Sequence, residues 1–273
     1  MNPSLRTACI LVATALASIP LGGCKVTVEP LTRYEGTPVS ESIGYSLGKA
    51  VHIIGANGQI EVVRGNSDRV EVTFSPFTMD EDTAEDQAVN EMEDKLALTI
   101  IDSGEILIEV AKRDGSSGYL GADVKVALPA TFNGGFEIDQ GNGDIEADLS
   151  GGDPSSTDVE NKGGGGIKVI GARGTLRVIG NAGDVEVSVA EWGVNDGVVE
   201  AGAGDISFSL PSDADGTITA SAGGQNSEVT EHGVPTTWAM AGEGGAKSYT
   251  MGTGEGAQVD LTTDLGNIAI IAQ

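Results

Sequence analysis

The sequence predicts an all-β fold, a single-stranded β-solenoid (β-helix) over residues 50–273 with one inserted amphipathic helix near 79–95. Three observations predict it. Apolar and polar residues alternate through most of the chain after residue 50, the pattern of strands with one buried face. In the C-terminal half, short strands follow glycine at intervals near 20 residues, the length of one coil in a stacked β-fold. Aromatics are only 4% of the chain and Gly is 41 of 273 residues, so the core must consist of thin aliphatic layers joined by tight turns.

The N-terminal elements come first. Arg6 precedes an apolar run from Ala8 to Ile19, followed by Pro20 and Leu21-Gly22-Gly23-Cys24. Such a run fits the hydrophobic region of an export signal and falls short of the ~20 residues a membrane helix needs. Leu21 to Cys24 resembles the bacterial lipobox. The resemblance implies a lipoprotein signal peptide over 1–23, diacylglycerol on the Cys24 sulfur, cleavage before Cys24 and acylation of the new N-terminus. Each buried methylene contributes ~0.8 kcal/mol, so several acyl chains on one cysteine anchor firmly where one holds marginally. Lys25 after the cysteine favours the outer membrane, by resemblance to enterobacterial sorting. Cleavage removes Arg6 and no acid, leaving 14 basic and 41 acidic residues. From 24 to 49 the pattern is mixed and carries Pro30 and Pro38, which reads as a tether.

The body then begins. Val51 and Ile53 lead into the turn Asn57-Gly58, and Ile60 and Val62 follow. Further alternating runs are Val70-Val72-Phe74, Leu96-Leu98-Ile100, Ile106-Ile108-Val110 and Val124-Val126-Leu128, the last ending at Pro129, which cannot donate to a ladder. Between them, Ala84, Ala88, Val89, Met92 and Leu96 fall at helical spacing, with Thr78 and Glu81 as a capping box and Asp80, Glu81 and Asp82 at the positive end of the helix dipole. Asp80, Asp82 and Asp86 lack the central Gly and ligand spacing of a calcium loop.

Beyond Phe132 the glycine-led strands recur: Gly143-Asp144-Ile145, Gly166-Ile167, Gly183-Asp184-Val185, Gly204-Asp205-Ile206 and Gly266-Asn267-Ile268, with Gly224 and Gly245 filling the gap. Strands opening at Gly174 and Gly216 are expected on the second face of a coil. Ile145, Val185, Val187, Val189, Ile206, Phe208, Leu210, Ile268 and Ile270 are expected to point inward. Glu146, Glu186, Ser188, Ser207 and Ser209 are expected to point to solvent. The spacing is irregular, and a Gly-rich β-sandwich remains the alternative architecture.

Asn57-Gly58-Gln59-Ile60-Glu61-Val62, the acidic helix, the Val124-to-Pro129 strand and Gly143-Asp144-Ile145-Glu146 with its echoes resemble the bacterial putative-adhesin domains of unknown function. That resemblance covers roughly 50–273 and implies a β-helix and an envelope location more than an activity.

Chemistry is sparse in the linear sequence. A net charge of −26 excludes nucleic acid as a partner, because counterion release needs a basic surface. Cys9 and Cys24 both precede the body, so no disulfide framework or zinc cluster is expected there. His52 reads as a strand-surface side chain and His232 as a turn residue; neither is expected to be catalytic, and no metal or cofactor is assigned. Lys162, Lys168, Arg173 and Arg177 are the main basic concentration, and Trp192, Trp238, Tyr119 and Tyr249 are too scattered for a sugar platform. Gly141 to Asp144 lacks the nine-residue iteration of calcium-binding repeats, and Gly163 to Gly166 lacks the Lys-Ser/Thr of a phosphate loop. The expectation is a non-catalytic envelope lipoprotein whose partners are the membrane, through Cys24, and an envelope protein or polysaccharide, with divalent cations as bridges. A polysaccharide-active β-helix enzyme and an envelope sensory or assembly accessory are the alternatives.

Overall fold

The computed structural model describes residues 31–80, 85–116, 119–192 and 196–273; the stretch read as a signal peptide and Cys24 lie outside these. The N-terminal part carries β1 (Thr32–Glu35), β2 (Val39–Gly44), β3 (Val51–Asn57), β4 (Ile60–Arg64), β5 (Arg69–Asp80), α1 (Glu85–Lys95), β6 (Leu96–Asp102), β7 (Ile106–Lys112) and β8 (Gly121–Leu128). The middle carries β9 (Gly135–Asn142), β10 (Ile145–Asp148), β11 (Ser156–Gly164), β12 (Ile167–Ala172), β13 (Thr175–Ala182), β14 (Val185–Val189), β15 (Gly197–Ala203) and β16 (Ile206–Leu210). The C-terminal part carries β17 (Gly216–Ala222), β18 (Val229–His232), β19 (Ala239–Glu243), β20 (Ala246–Met251), β21 (Ala257–Leu265) and β22 (Ile268–Ala272). α1 is an 11-residue helix, and no described helix is long and apolar enough to cross a membrane.

The strands form two eleven-stranded sheets. Sheet I runs β1-β5-β8-β4-β10-β12-β14-β16-β22-β18, with β2 also on β5; sheet II runs β19-β20-β17-β21-β15-β13-β11-β9-β3-β7-β6. From β9 to β16 each strand of sheet II is followed by one of sheet I, and each pairs in parallel with its counterpart in the next rung. Antiparallel pairing is confined to the two ends: β1, β2 and β8 on β5, β6 on β7, β20 on β17 and β19 on β20. Antiparallel strands thus close both ends of sheet II and the N-terminal end of sheet I, whereas sheet I ends at the parallel strand β18.

Alternation explains the core. In β14, Val185 and Val187 are buried at 1% and 0%, while Glu186 between them is exposed. Ile145, Ile167, Ile206, Phe208, Ile268 and Ile270 occupy equivalent inward positions from both sides of that strand.

The glycine steps have a definite physical cause. Gly58, Gly143, Gly165, Gly183, Gly204 and Gly266 stack where sheet II hands the chain to sheet I. Gly183 has φ +128°, and a Cβ there would lie 2.4 Å from the Gly165 carbonyl oxygen; at Gly143 (φ +117°) it would lie 1.9 Å from that of Gly58. Only glycine meets both demands. The following Asp caps the neighbouring rung: Asp144 Oδ1 accepts from Gly166 N at 2.8 Å, Asp184 Oδ1 from Asp205 N at 2.9 Å and Asp205 Oδ1 from Asn267 N at 2.7 Å. Inside the bend, buried Asn161 donates to the Gly143 and Gly165 carbonyls, and Gln140 donates to the Gly58 carbonyl.

Several expectations need correction. The terminal rungs are tucked in rather than stacked in chain order: β3–β4 lies between β7–β8 and β9–β10, and β21–β22 lies between β15–β16 and β17–β18. Gly224 and Gly245 consequently do not join the glycine stack; Gly224 follows β17 and Gly245 lies in the β19–β20 hairpin. The described helix spans Glu85–Lys95, and Met79 belongs to β5, so the helix does not begin near 79. Thr78 is a fully buried strand residue opposite Tyr34, so it does not cap the helix, and Glu81 and Asp82 lie outside the described residues. The stretch read as a tether contains β1 and β2; their side chains are mostly exposed, so no alternating apolar signal marks them. Ser209 is buried and accepts a hydrogen bond from Gln273 Nε2, whereas Val189, half-buried, packs against the core as expected.

Candidate functional site

The outer face of sheet II brings together residues that lie far apart in sequence. Val51 and Ile53 are wholly buried, so the intervening His52 must face outward. Parallel register then sets a row across four strands: His52 in β3, Glu137 in β9, Asp158 in β11 and Arg177 in β13. Two residues further along, the next outward row holds Ile54, Asp139, Glu160 and Ile179.

His52 Nε2 lies 3.3 Å from Asp139 Oδ2 and 3.6 Å from Glu137 Oε1. Ligating atoms of these three side chains all fall within 4.8 Å of one another, and among the described residues they form the His/Asp/Glu group able to share an ion. His52 is well shielded, with 17% of its side chain exposed. A cavity of about 240 Å³ opens beside it, bordered by His52, Glu105, Glu137, Asp158 and Arg177.

The cations of this face are engaged. Lys162 Nζ lies 2.8 Å from Asp139 Oδ1, and Arg177 donates at 2.7 Å to both Asp158 and Glu160. Burial works to raise the Asp139 carboxyl, but hydrogen bonds from Lys162 and His52 outweigh it and hold the group below its ordinary value. The same bond, donated to Asp139, raises Lys162, and the bonds donated to Glu160 and Asp158 raise Arg177.

A second polar cluster ties the two sheets at the C-terminal end. Lys247 Nζ and Tyr249 OH of β20 both lie 2.7 Å from Glu231 Oε1 of β18, and Lys247 also donates to the Val229 carbonyl. Hydrogen bonds from Lys247 and Tyr249 lower Glu231, while burial and the bond to Glu231 raise Tyr249. Tyr249 is fully buried, so this cluster is a structural clasp.

The remaining sequence candidates disperse. His232 is exposed at the end of β18. Lys162 and Arg177 share the sheet II face, whereas Lys168 lies on β12 of sheet I, 3.7 Å from Glu186, and Arg173 sits at the bend after β12, 2.5 Å from Glu191. Trp238 and Tyr249 are buried, Trp192 meets the edge of Phe208 and Tyr119 is exposed, so these four form no stacking platform. Sequence reasoning placed His52 on a strand surface but missed its carboxylate partners, which are 85 and 87 residues away. One signal pointed to them: aligning Asn57-Gly58 with Asn142-Gly143 sets His52 opposite Glu137.

No protein-family profile matches the chain, and no curated protein matches it. Among solved structures, a putative cell adhesion protein from Clostridium sporogenes is similar with a TM-score of 0.50 and 15% identity, over 87% of this chain and 100% of that one. A putative adhesin from Bacteroides fragilis is similar with a TM-score of 0.31 and 12% identity, over 86% and 97% of the two chains. The Clostridium likeness is one of fold.

Proposed function

We propose that this chain is a non-catalytic cell-envelope lipoprotein, anchored in the outer membrane through Cys24, that presents an acidic two-faced β-solenoid for adhesion or envelope interaction. The parallel rungs β3–β4, β9–β10, β11–β12, β13–β14, β15–β16 and β21–β22, each turning on a stacked glycine, are the solenoid. The observation that carries the reading is the pair of broad sheet faces, whose outward rows are rich in carboxylates and whose Lys125, Lys162, Lys168 and Arg177 are already matched by acids. Such a face offers hydrogen-bond acceptors and cation-bridging groups to a partner protein or polysaccharide. The lipobox-like Leu21-Gly22-Gly23-Cys24 supports the anchor, and the fold shared with a protein named for cell adhesion supports the role. A polysaccharide enzyme would need Lys168 or Arg173 free to hold an acidic substrate, and both already face carboxylates.

Metabolic palmitate labelling tests the anchor: label is expected on the wild-type chain and absent from Cys24→Ala, and label retained by the variant would refute it. Protease shaving of intact cells and a cell-aggregation assay on a deletion strain test the role. Surface cleavage with loss of divalent-dependent aggregation is the expected result. Unchanged aggregation under every ion condition counts against it.

A further inference from the structure

We infer that His52, Glu137 and Asp139 form a binding site for a divalent transition metal on the outer face of sheet II. The inference stands on geometry and does not rest on the adhesive reading.

Distance is the first argument. His52 Nε2 lies 3.3 Å and 3.6 Å from the two carboxylate oxygens, the latter beyond a good hydrogen bond. Two ligands each about 2.1 Å from a tetrahedral ion are separated by about 3.4 Å, so these spacings suit donors that share a metal. Charge is the second. Glu137 and Asp139 bring two carboxylates into one cluster, and Lys162 matches only Asp139. That leaves Glu137 facing the imidazole, and a dication would neutralise both acids at once. Rigidity is the third. All three side chains project from β3 and β9, neighbouring strands within sheet II, whose inward residues Val51, Ile53, Phe136 and Ile138 are almost wholly buried. A site held on packed strands needs little reorganisation to bind.

The donor set decides the metal. One imidazole nitrogen with two carboxylates suits zinc or another late divalent ion, whereas calcium asks for six to eight oxygens. Lys162 acts as a positioning residue: its bond to Asp139 Oδ1 leaves Oδ2 turned to His52. The cavity beside His52 and Glu137 leaves room for water to complete the coordination shell.

The test is equilibrium dialysis of the full chain, purified in detergent and chelator-treated, against zinc alone, with metal counted by mass spectrometry. One tightly held zinc per chain is expected. Loss of a direct ligand in His52→Gln or Glu137→Gln should weaken it by ~100-fold or more, since even outer-shell changes cost 10–100-fold. His232→Gln should leave it unchanged, and excess calcium should not displace it. X-ray absorption of the zinc-loaded wild type should show one imidazole, a readout that survives if a variant folds poorly. Zinc held equally by His52→Gln, an all-oxygen shell, or no stoichiometric zinc on the wild type would each overturn the site.

Discussion

The rungs between Gly143 and Asp205 and the segment between Pro211 and Gly256 have the same glycine spacing but different structures. In the first, the stacked glycine is followed by Asp144, Asp184 or Asp205, or by Gly166 after Gly165, and then by Ile or Val, and every such step stacks on the one before. In the second, Gly224 is followed by Gln225 and Asn226, and Gly245 by Ala246 and Lys247. Neither supplies an inward aliphatic two residues on. The chain instead bends at Asn226, at φ +67°, and makes the antiparallel β19–β20 hairpin before β21 returns beside β15. Glycine permits the turn, and the residue two places later decides whether the turn becomes a rung.

The largest effect expected from this comparison is at the stacked glycines. Gly183→Ala meets both a positive φ and a carbonyl at 2.4 Å, and should destabilise the full chain by about 3 kcal/mol in urea unfolding. Gly244→Ala, in the hairpin, has φ +59° and open space around it, so about 1 kcal/mol is expected. Equal losses would break the distinction.

The C-terminal clasp should be the pH-sensitive part. Glu231 is lowered in the fold, so its contribution is present above its unfolded value near 4.5 and is lost as pH falls through the folded value. Tyr249 is raised, so its contribution is complete below its unfolded value near 10 and declines as pH rises above it. Hydrogen exchange at β18 and β20 should therefore accelerate at both extremes before it does in β12 or β14. Glu231→Gln should cost about 2 kcal/mol at neutral pH and flatten the acid limb. Uniform exchange across both regions would remove the clasp from the account.

The smallest expected effect sharpens the role of the capping residue. Asp205→Ala removes the acceptor for Asn267 N, which ties the tucked-in last rung to β16, and should cost about 1 kcal/mol. Asp264→Ala, exposed near the end of β21, should change stability by less than about 0.5 kcal/mol by the same measurement.

Sequence alone determined the all-β class, the strands from Val51 to Leu128, the inward sets in β10, β14, β16 and β22, and the outward placement of His52. These follow from alternation, which is local: each side chain's face is set by its neighbours one and two residues away. The helix start was misread because Thr78 carries a capping residue's chemistry in a stretch that β1 claims as a strand partner. β1 and β2 were hidden because they bury little and so carry no periodic signal. Tertiary structure alone decided that β3–β4 and β21–β22 insert between other rungs, and that His52 meets Glu137 and Asp139. Parallel neighbours in a stack can be any distance apart in the chain, and their register is fixed by packing between sheets.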